Sequence, residues 1–297
     1  MSNAEQVDTS IGEDSDFVQF WNETLAPKFI RFKHILVDGL TQHSAAIFPS
    51  LPVQEGDRVL DVGCGFGDTA IKLSDRVGPG GEVVGIDCCD AFLDYARKDV
   101  AGRGIKNISF MRGDAEIALP ATGYDLAFAR FGTMFFANPV AGLRNMRKSL
   151  RPGGRMVHIV WRNRDDNPWL SMAKDVVLHF LPPPGEEAQT CGPGPFSMAD
   201  EATVRTMMEI AGYEDIKFRR VDAPVFVGKD VADAIAFQLA IGPAGEVFRE
   251  AGSEAEEKRA PIEAALAEAI NKQNISSDGI VMDSSSWVIS ATNPVQM

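Results

Sequence analysis

Three stretches of the chain place carboxylates and glycines where an extended run hands over to a turn. The first is Val59-Leu60-Asp61-Val62-Gly63-Cys64-Gly65-Phe66-Gly67, an apolar run carrying one acid and closing on three alternate glycines. Glycine lets the backbone approach a ligand closely, and the helix start that follows offers free N–H groups. The second, Val83-Val84-Gly85-Ile86-Asp87, puts an acid at the end of the next apolar run. A carboxylate there can accept hydrogen bonds from both hydroxyls of a ribose. The third is Met111-Arg112-Gly113-Asp114-Ala115-Glu116. Asp114 can accept from an adenine amino group while the Ala115 backbone supports the ring edge. Alone this last triplet is weak; in register with the other two it is not.

The elements needed to bring these turns together are legible. Strand-like runs fall at Arg58–Val62, Glu82–Asp87, Ile108–Arg112, Tyr124–Ala129 and Arg155–Trp161, with helical stretches at Asp68–Val77, Ala91–Ala101 and Val140–Leu150. Alternating strands and helices specify a parallel sheet with helices on both faces, and such sheets bind ligands outside the carboxyl ends of their strands. The dinucleotide fingerprint G-x-G-x-x-G requires glycine at 68, where this chain has Asp68. That departure weakens an NAD(P)-dependent oxidoreductase and favours S-adenosylmethionine (SAM).

VLDVGCGFG, the acidic end of VVGID, the GDAE turn and YDLAFARFGTMFFANP…NMRKSLRPGGRMVHIVW together resemble class I SAM-dependent methyltransferases. Within these the chain is most similar to the group related to ubiquinone and menaquinone biosynthesis. The match is good over about Leu51 to Trp161 and looser at Asn167-Pro168-Trp169, Gly192–Phe196 and Trp287–Ser290. The resemblance implies an α/β, Rossmann-like sheet of seven strands, mostly parallel, with its last strand antiparallel. It implies SAM contacts from Asp61, Gly63, Gly65, Asp87, Asp114 and Ala115, with Cys64, Gly67 and Cys88 on the same turns. Arg130 and Phe131 match positions near the methionine moiety and the transferring methyl. The function expected is methyl transfer to a small molecule by in-line displacement, giving S-adenosylhomocysteine (SAH). The acceptor atom (O, N, C or S) stays open, and a non-catalytic SAM-binding protein is the other alternative. Fold and motif do not name the acceptor.

The remaining chain reads as cover for that core. Residues 1–15 are expected to be a loose tail and 16–50 cap helices, broken at Pro27. Residues 51–229 would form the core, with an insert at 165–200 and a strand pair at Ile216–Val221 and Pro224–Val227. Residues 230–278 would be a helical lid, and 279–297 the last strand and tail. Trp21, Phe131, Phe135, Phe136, Trp161 and Trp169 are candidates for lining an acceptor pocket, although single aromatics more often belong to the core. His43 and His158 are the weak candidates for a general base, since core packing is the commoner fate of such histidines.

The composition is 45% hydrophobic and 24% charged, which is ordinary for a globular chain, and the net charge is −13. Nucleic-acid binding through phosphates calls for a basic surface, so it is disfavoured. The polar, acidic N-terminus does not resemble a signal peptide, and no apolar run approaches the ~18–20 residues of a membrane span. The four cysteines (Cys64, Cys88, Cys89 and Cys191) form no C-x-x-C pair and no zinc spacing, so no metal and a cytoplasmic location are expected. The partner expected is a small-molecule acceptor, with a homodimer left open.

Overall fold

A computed structural model describes residues 15–119, 123–185, 188, 190 and 192–295. The tail expected over 1–15 therefore falls, up to residue 14, outside the described residues, as does Cys191.

The sheet runs in the order β3 (Ile108–Arg112), β2 (Glu82–Asp87), β1 (Arg58–Val62), β4 (Tyr124–Arg130), β5 (Leu150–Trp161), β8 (Gly279–Thr292), β6 (Glu214–Gly228). The first five are mutually parallel, and β8 runs antiparallel to both of its neighbours. A short β7 (Asn274–Ser276) pairs with β8 and brings the total to eight, one more than the resemblance implies. Val59, Leu60, Leu126, Phe128, Met156 and Ile159 are completely buried. That is why these strands read as unbroken apolar runs: helices cover both faces of a parallel sheet. Strand order reverses at β1, which lies between β2 and β4, so the crevice at its carboxyl end is the switch point of the sheet.

Two local expectations change. The strand pair anticipated around Pro224 is one continuous strand, β6. Proline is tolerated there because β6 is the sheet's edge, where its missing N–H breaks no ladder bond on the outer side. The N-terminal helices do not break at Pro27 either. Helix α1 (Asp16–Phe20) passes into a π-helical turn, Trp21–Leu25, and then into α2 (Ala26–Arg31). The π turn moves the Ala26 N–H onto the Trp21 carbonyl, so Pro27 falls in a fresh first turn where its lack of an N–H costs little. The break comes at Phe32 (φ −104°, ψ 22°), before α3 (Lys33–Ala45).

Helix α4 (Asp68–Val77) joins β1 to β2, α5 (Asp90–Arg103) joins β2 to β3, and α6 (Pro139–Ser149) joins β4 to β5. After β6 come α9 (Val231–Ala240), α10 (Gly242–Glu250), α11 (Ser253–Glu257) and α12 (Arg259–Ile270), following α7 (Pro168–Leu178) and α8 (Glu201–Ala211) earlier in the chain. Helices α9 to α12 have their own apolar cluster with α7, including Val177, Val247, Phe248, Ile262 and Leu266. They meet the N-terminal helices through His34 and Asp233 (3.2 Å) and through Arg249 over the Phe20 ring (5.0 Å). Among the described residues no single helix is long and apolar enough to cross a membrane.

Candidate active site

The three glycines after β1 have left-handed φ values of 69°, 53° and 79°, and each does a separate job. A Cβ on Gly63 would press on the Gly132 backbone at 3.3 Å, so this glycine lets the turns after β1 and β4 meet. A Cβ on Gly67 would lie 2.9 Å from Ala96 and from the Phe110 ring, so this one lets α4 pack closely. Around Gly65 a Cβ meets nothing within 4 Å, because that glycine faces an open cavity. Asp87, at the end of β2, stitches the turn: one oxygen accepts the Gly65 N–H (2.9 Å) and the other the Cys89 N–H (3.0 Å). Burial pushes its carboxyl up, and those two amides together with that of Cys88 pull it back down.

Beneath the turn, Asp61 is completely buried. One of its oxygens accepts from the Thr69 hydroxyl (2.6 Å); the other is buried with no hydrogen-bond partner. Burial pushes the Asp61 carboxyl up to about 7, opposed by the Thr69 bond and by the Arg130 charge. Arg130 ends β4, pairs with Asp68 (2.8 Å) and donates to the Ser44 hydroxyl (3.3 Å) on α3.

The cavity runs from these groups to a roof built by the N-terminal helices. Gly63, Cys64, Gly65, Asp87, Cys88, Asp114, Ala115, Arg130, Phe131, Trp21, Phe135 and Phe136 all line it. Asp61 and Gly67 lie just behind that lining. Asn22 pins the roof to the site, donating to the Cys88 carbonyl (3.0 Å) and accepting from the Asp90 N–H (3.3 Å). Phe17, Phe29, Leu36, Val37 and Leu40 also line the cavity, with Asp68, Thr69 and Glu116, and sequence reasoning gave none of these a place in the site. The spacing of three and four in the cap helices marks an apolar face without saying whether protein or ligand covers it. Residues 230–278 contribute nothing to the lining, so among the described residues the roof is built by the 16–50 segment.

Four candidates stand away from the cavity. Trp161 stacks on the back of Phe131 (centroids 3.9 Å apart, 17° between planes), and Trp169 packs edge-on against Trp161 at 5.2 Å. A strand's carboxyl end fixes the height of a residue but not its layer, and Phe131 takes the inner one. His43 on α3 spends both ring nitrogens on β8, at 2.8 Å from the Ser286 hydroxyl and 2.7 Å from that of Ser284. His158 contacts the Thr133 hydroxyl at 3.0 Å inside the core. Burial lowers His43 to about 4, with the Asp222 charge opposing and the Arg130 charge assisting, and lowers His158 to about 3. Neither can exchange protons with a ligand in this cavity.

Both histidines ionise more readily in the unfolded chain, near the ordinary value of 6.5, than in the folded one. Their stabilisation is present above that value and is lost as pH falls toward 4 for His43 and 3 for His158. Between pH 7 and pH 5 each histidine removes about 2 kcal/mol of stability. Asp61, raised to about 7 in the folded chain, takes up a proton over the same window and offsets about as much as one histidine, so urea denaturation should show a net loss of about 2 kcal/mol. The same pair of measurements on His158→Gln should abolish most of that difference.

Comparison with known proteins fits this geometry. A profile of the family described as "Methyltransferase domain" matches residues 53–214, more than half the chain. The chain belongs to that family. The methyltransferase is 31% identical over 183 residues to the ubiquinone/menaquinone biosynthesis C-methyltransferase UbiE of Pseudomonas putida, covering 58% of this chain and 71% of that protein. It is 27% identical over 212 residues to the demethylmenaquinone methyltransferase of Staphylococcus aureus, covering 66% and 85%. These matches place it among the SAM-dependent methyltransferases of the UbiE-like group, acting on a small molecule, and the NAD(P) alternative falls away. The same fold appears in a phosphoethanolamine N-methyltransferase of Haemonchus contortus solved with phosphomonomethylethanolamine and SAH (TM-score 0.57, 15% identity, 95% of this chain and 61% of that one). It also appears in a putative methyltransferase of Bacillus halodurans (TM-score 0.55, 17% identity, 84% and 98%).

The residues present suit SAM. Asp61 holds an unpartnered buried oxygen of the sign an ammonium needs, Gly65 leaves room for a ligand, and Asp87 keeps lone pairs at a strand end.

Proposed function

We propose that the methyltransferase holds SAM between the β1 turn and Asp87 and methylates a small, largely apolar acceptor enclosed under the 16–50 roof. The observation carrying this reading is the continuous cavity that joins the switch-point carboxylates to a wall of Phe17, Trp21, Phe29, Leu36 and Phe135. SAM, when bound, supplies an electrophilic methyl on a sulfonium. Gly63 to Gly65 offer close backbone approach, Asp87 the ribose acceptor, Asp114 and Ala115 the adenine edge, and Asp61 the partner for the methionine ammonium. Phe131, left-handed at φ 57° and stacked on Trp161, presents its ring beside Arg130 toward the reacting end. Holding nucleophile and methyl in line at roughly 3–3.5 Å supplies much of the rate without a metal.

The lining carries no histidine, and the Glu116 oxygens already accept the Ala137 and Asn138 amides. The reading therefore favours an acceptor that is nucleophilic once bound, such as an activated ring carbon, a phenolate, an amine or a thiolate. Arg130, the one basic side chain in the described lining, is neutralised by Asp68, which argues against a phosphorylated acceptor. The UbiE relatives are named for C-methylation in quinone biosynthesis, which agrees with an aromatic wall. A cytoplasmic location belongs to the same reading, and the net charge of −13 supports the absence of nucleic-acid partners.

Isothermal titration with SAM, SAH and NADH tests the cofactor. Methyl transfer from radiolabelled SAM to a panel of phenols, naphthoquinols, amines and thiols then tests the reaction. Product with no panel member, despite SAM binding, would favour the non-catalytic alternative.

Asp61 makes the cofactor step pH-dependent. Its carboxyl is raised to about 7 in the free protein, and a cation would hold it charged, so binding releases a proton. SAH affinity should rise as pH increases from 5.5 to 7.5 and level off above that. Asp61→Asn should weaken binding about tenfold at pH 8 and flatten the profile, since a charge-assisted contact contributes roughly 1.5–3 kcal/mol. A full pH slope surviving in the D61N variant would assign the titration elsewhere.

A further inference from the structure

The roof presents one hydrogen-bond donor that the protein itself does not use. Trp21 lines the cavity, its indole N–H is buried, and no acceptor lies within reach of it. A buried N–H without a partner costs about 1–3 kcal/mol; Trp169 and Tyr213 carry unpartnered buried donors too, but of the three only Trp21 lines the cavity. The ring is held on three sides by aromatic edges: Phe17 at 6.3 Å, Phe29 at 5.4 Å and Phe135 at 5.2 Å. Its backbone is irregular too, because the π turn begins at Trp21 and is anchored by the adjacent Asn22 to Cys88 and Asp90. π turns occur often at functional sites, since they re-aim one side chain of a helix. The chain thus spends a helical irregularity and two anchoring bonds on positioning a donor that has nothing to donate to.

Resting on the methyltransferase reading above, we propose that Trp21 is a specificity-determining residue: its N–H donates to an oxygen on the ring of the methyl acceptor. The acceptor is then a flat, conjugated ring carrying a hydroxyl or carbonyl oxygen. The cofactor's own oxygens are the competing acceptors: its ribose hydroxyls belong with Asp87 in this reading, and its carboxylate would be a full charge against three phenyl edges and one neutral donor, which is poorly compensated.

The experiment uses two isosteric probes, 1-naphthol and 1-methylnaphthalene, titrated into the SAH complex of the wild type and of Trp21→Phe. An apolar wall alone favours methylnaphthalene; a site built around a donor rejects the analogue that lacks its oxygen. The wild type should prefer naphthol about tenfold, as one hydrogen bond allows. Trp21→Phe should reverse or abolish that preference while SAH affinity stays within twofold. Equal binding of the two probes by wild type, which needs no variant, overturns the proposal. So does a preference that survives in Trp21→Phe. A parallel loss of SAH affinity in the variant also overturns it, by assigning the donor to the cofactor. Failure of SAH to bind the wild type would instead defeat the methyltransferase reading.

Discussion

Asp87→Ala should lower affinity for SAM and SAH at least a hundredfold, equivalent to about 2.7 kcal/mol. Two losses combine. The ribose hydroxyls lose their carboxylate, and the amides of Gly65 and Cys89 lose the acceptor that holds the glycine turn against β2. Each unsatisfied buried amide costs about 1–3 kcal/mol, so the free site should also loosen. Isothermal titration gives the affinity, and amide exchange at residues 63–67 reports the turn. Asp87→Asn separates the contributions: it keeps one acceptor oxygen for an amide but loses the charge, and its affinity should fall between the two. Retention of near-wild-type SAH binding by Asp87→Ala would move the cofactor away from this strand end.

His43→Leu should destabilise the protein by about 2–4 kcal/mol although no ligand touches His43. The imidazole joins α3, which carries part of the roof, to Ser284 and Ser286 on β8. It also packs edge-on against Phe131 (5.7 Å) and Trp161 (5.0 Å), bracing a cavity residue, Phe131, whose backbone is left-handed and which is proposed to lie at the reacting end. Leucine fills a similar volume but leaves the Ser286 hydroxyl buried without this partner. Urea titration at pH 7 measures the loss, and His43→Gln, which retains a donor and an acceptor, should recover at least half of it. Activity should fall in kcat more than in KM for SAM, because Phe131 is displaced while the cofactor turn is not. An unchanged stability would mean that the serines find other partners without cost.

The half of the site proposed for the cofactor was readable along the chain because it is local. A glycine triplet, an acid at the end of β2 and an acid after β3 each lie within a few residues of a strand end. The alternation of strands and helices then stacks those ends at one edge of one sheet. The acceptor half was not readable in this way. Phe17, Trp21, Phe29, Leu36 and Leu40 fall on a helical period that describes a core face equally well, and only the position of α1 to α3 over the β1 and β4 turns makes that face a cavity wall. Trp161 and Trp169 fail as wall residues for the converse reason: Phe131 stands between them and the open space.

The chain's own order of residues settled the sheet and the family and pointed to the strand ends proposed here to hold adenosine, because strand period, turn glycines and acid placement act over short distances. Tertiary packing decided the rest. It put both histidines out of reach, left one oxygen of Asp61 and one N–H of Trp21 without partners, and made the N-terminal helices rather than the later insert the roof. Burial and orphaned hydrogen bonds are created by what lies across a gap in space, and no local pattern encodes the far side of that gap.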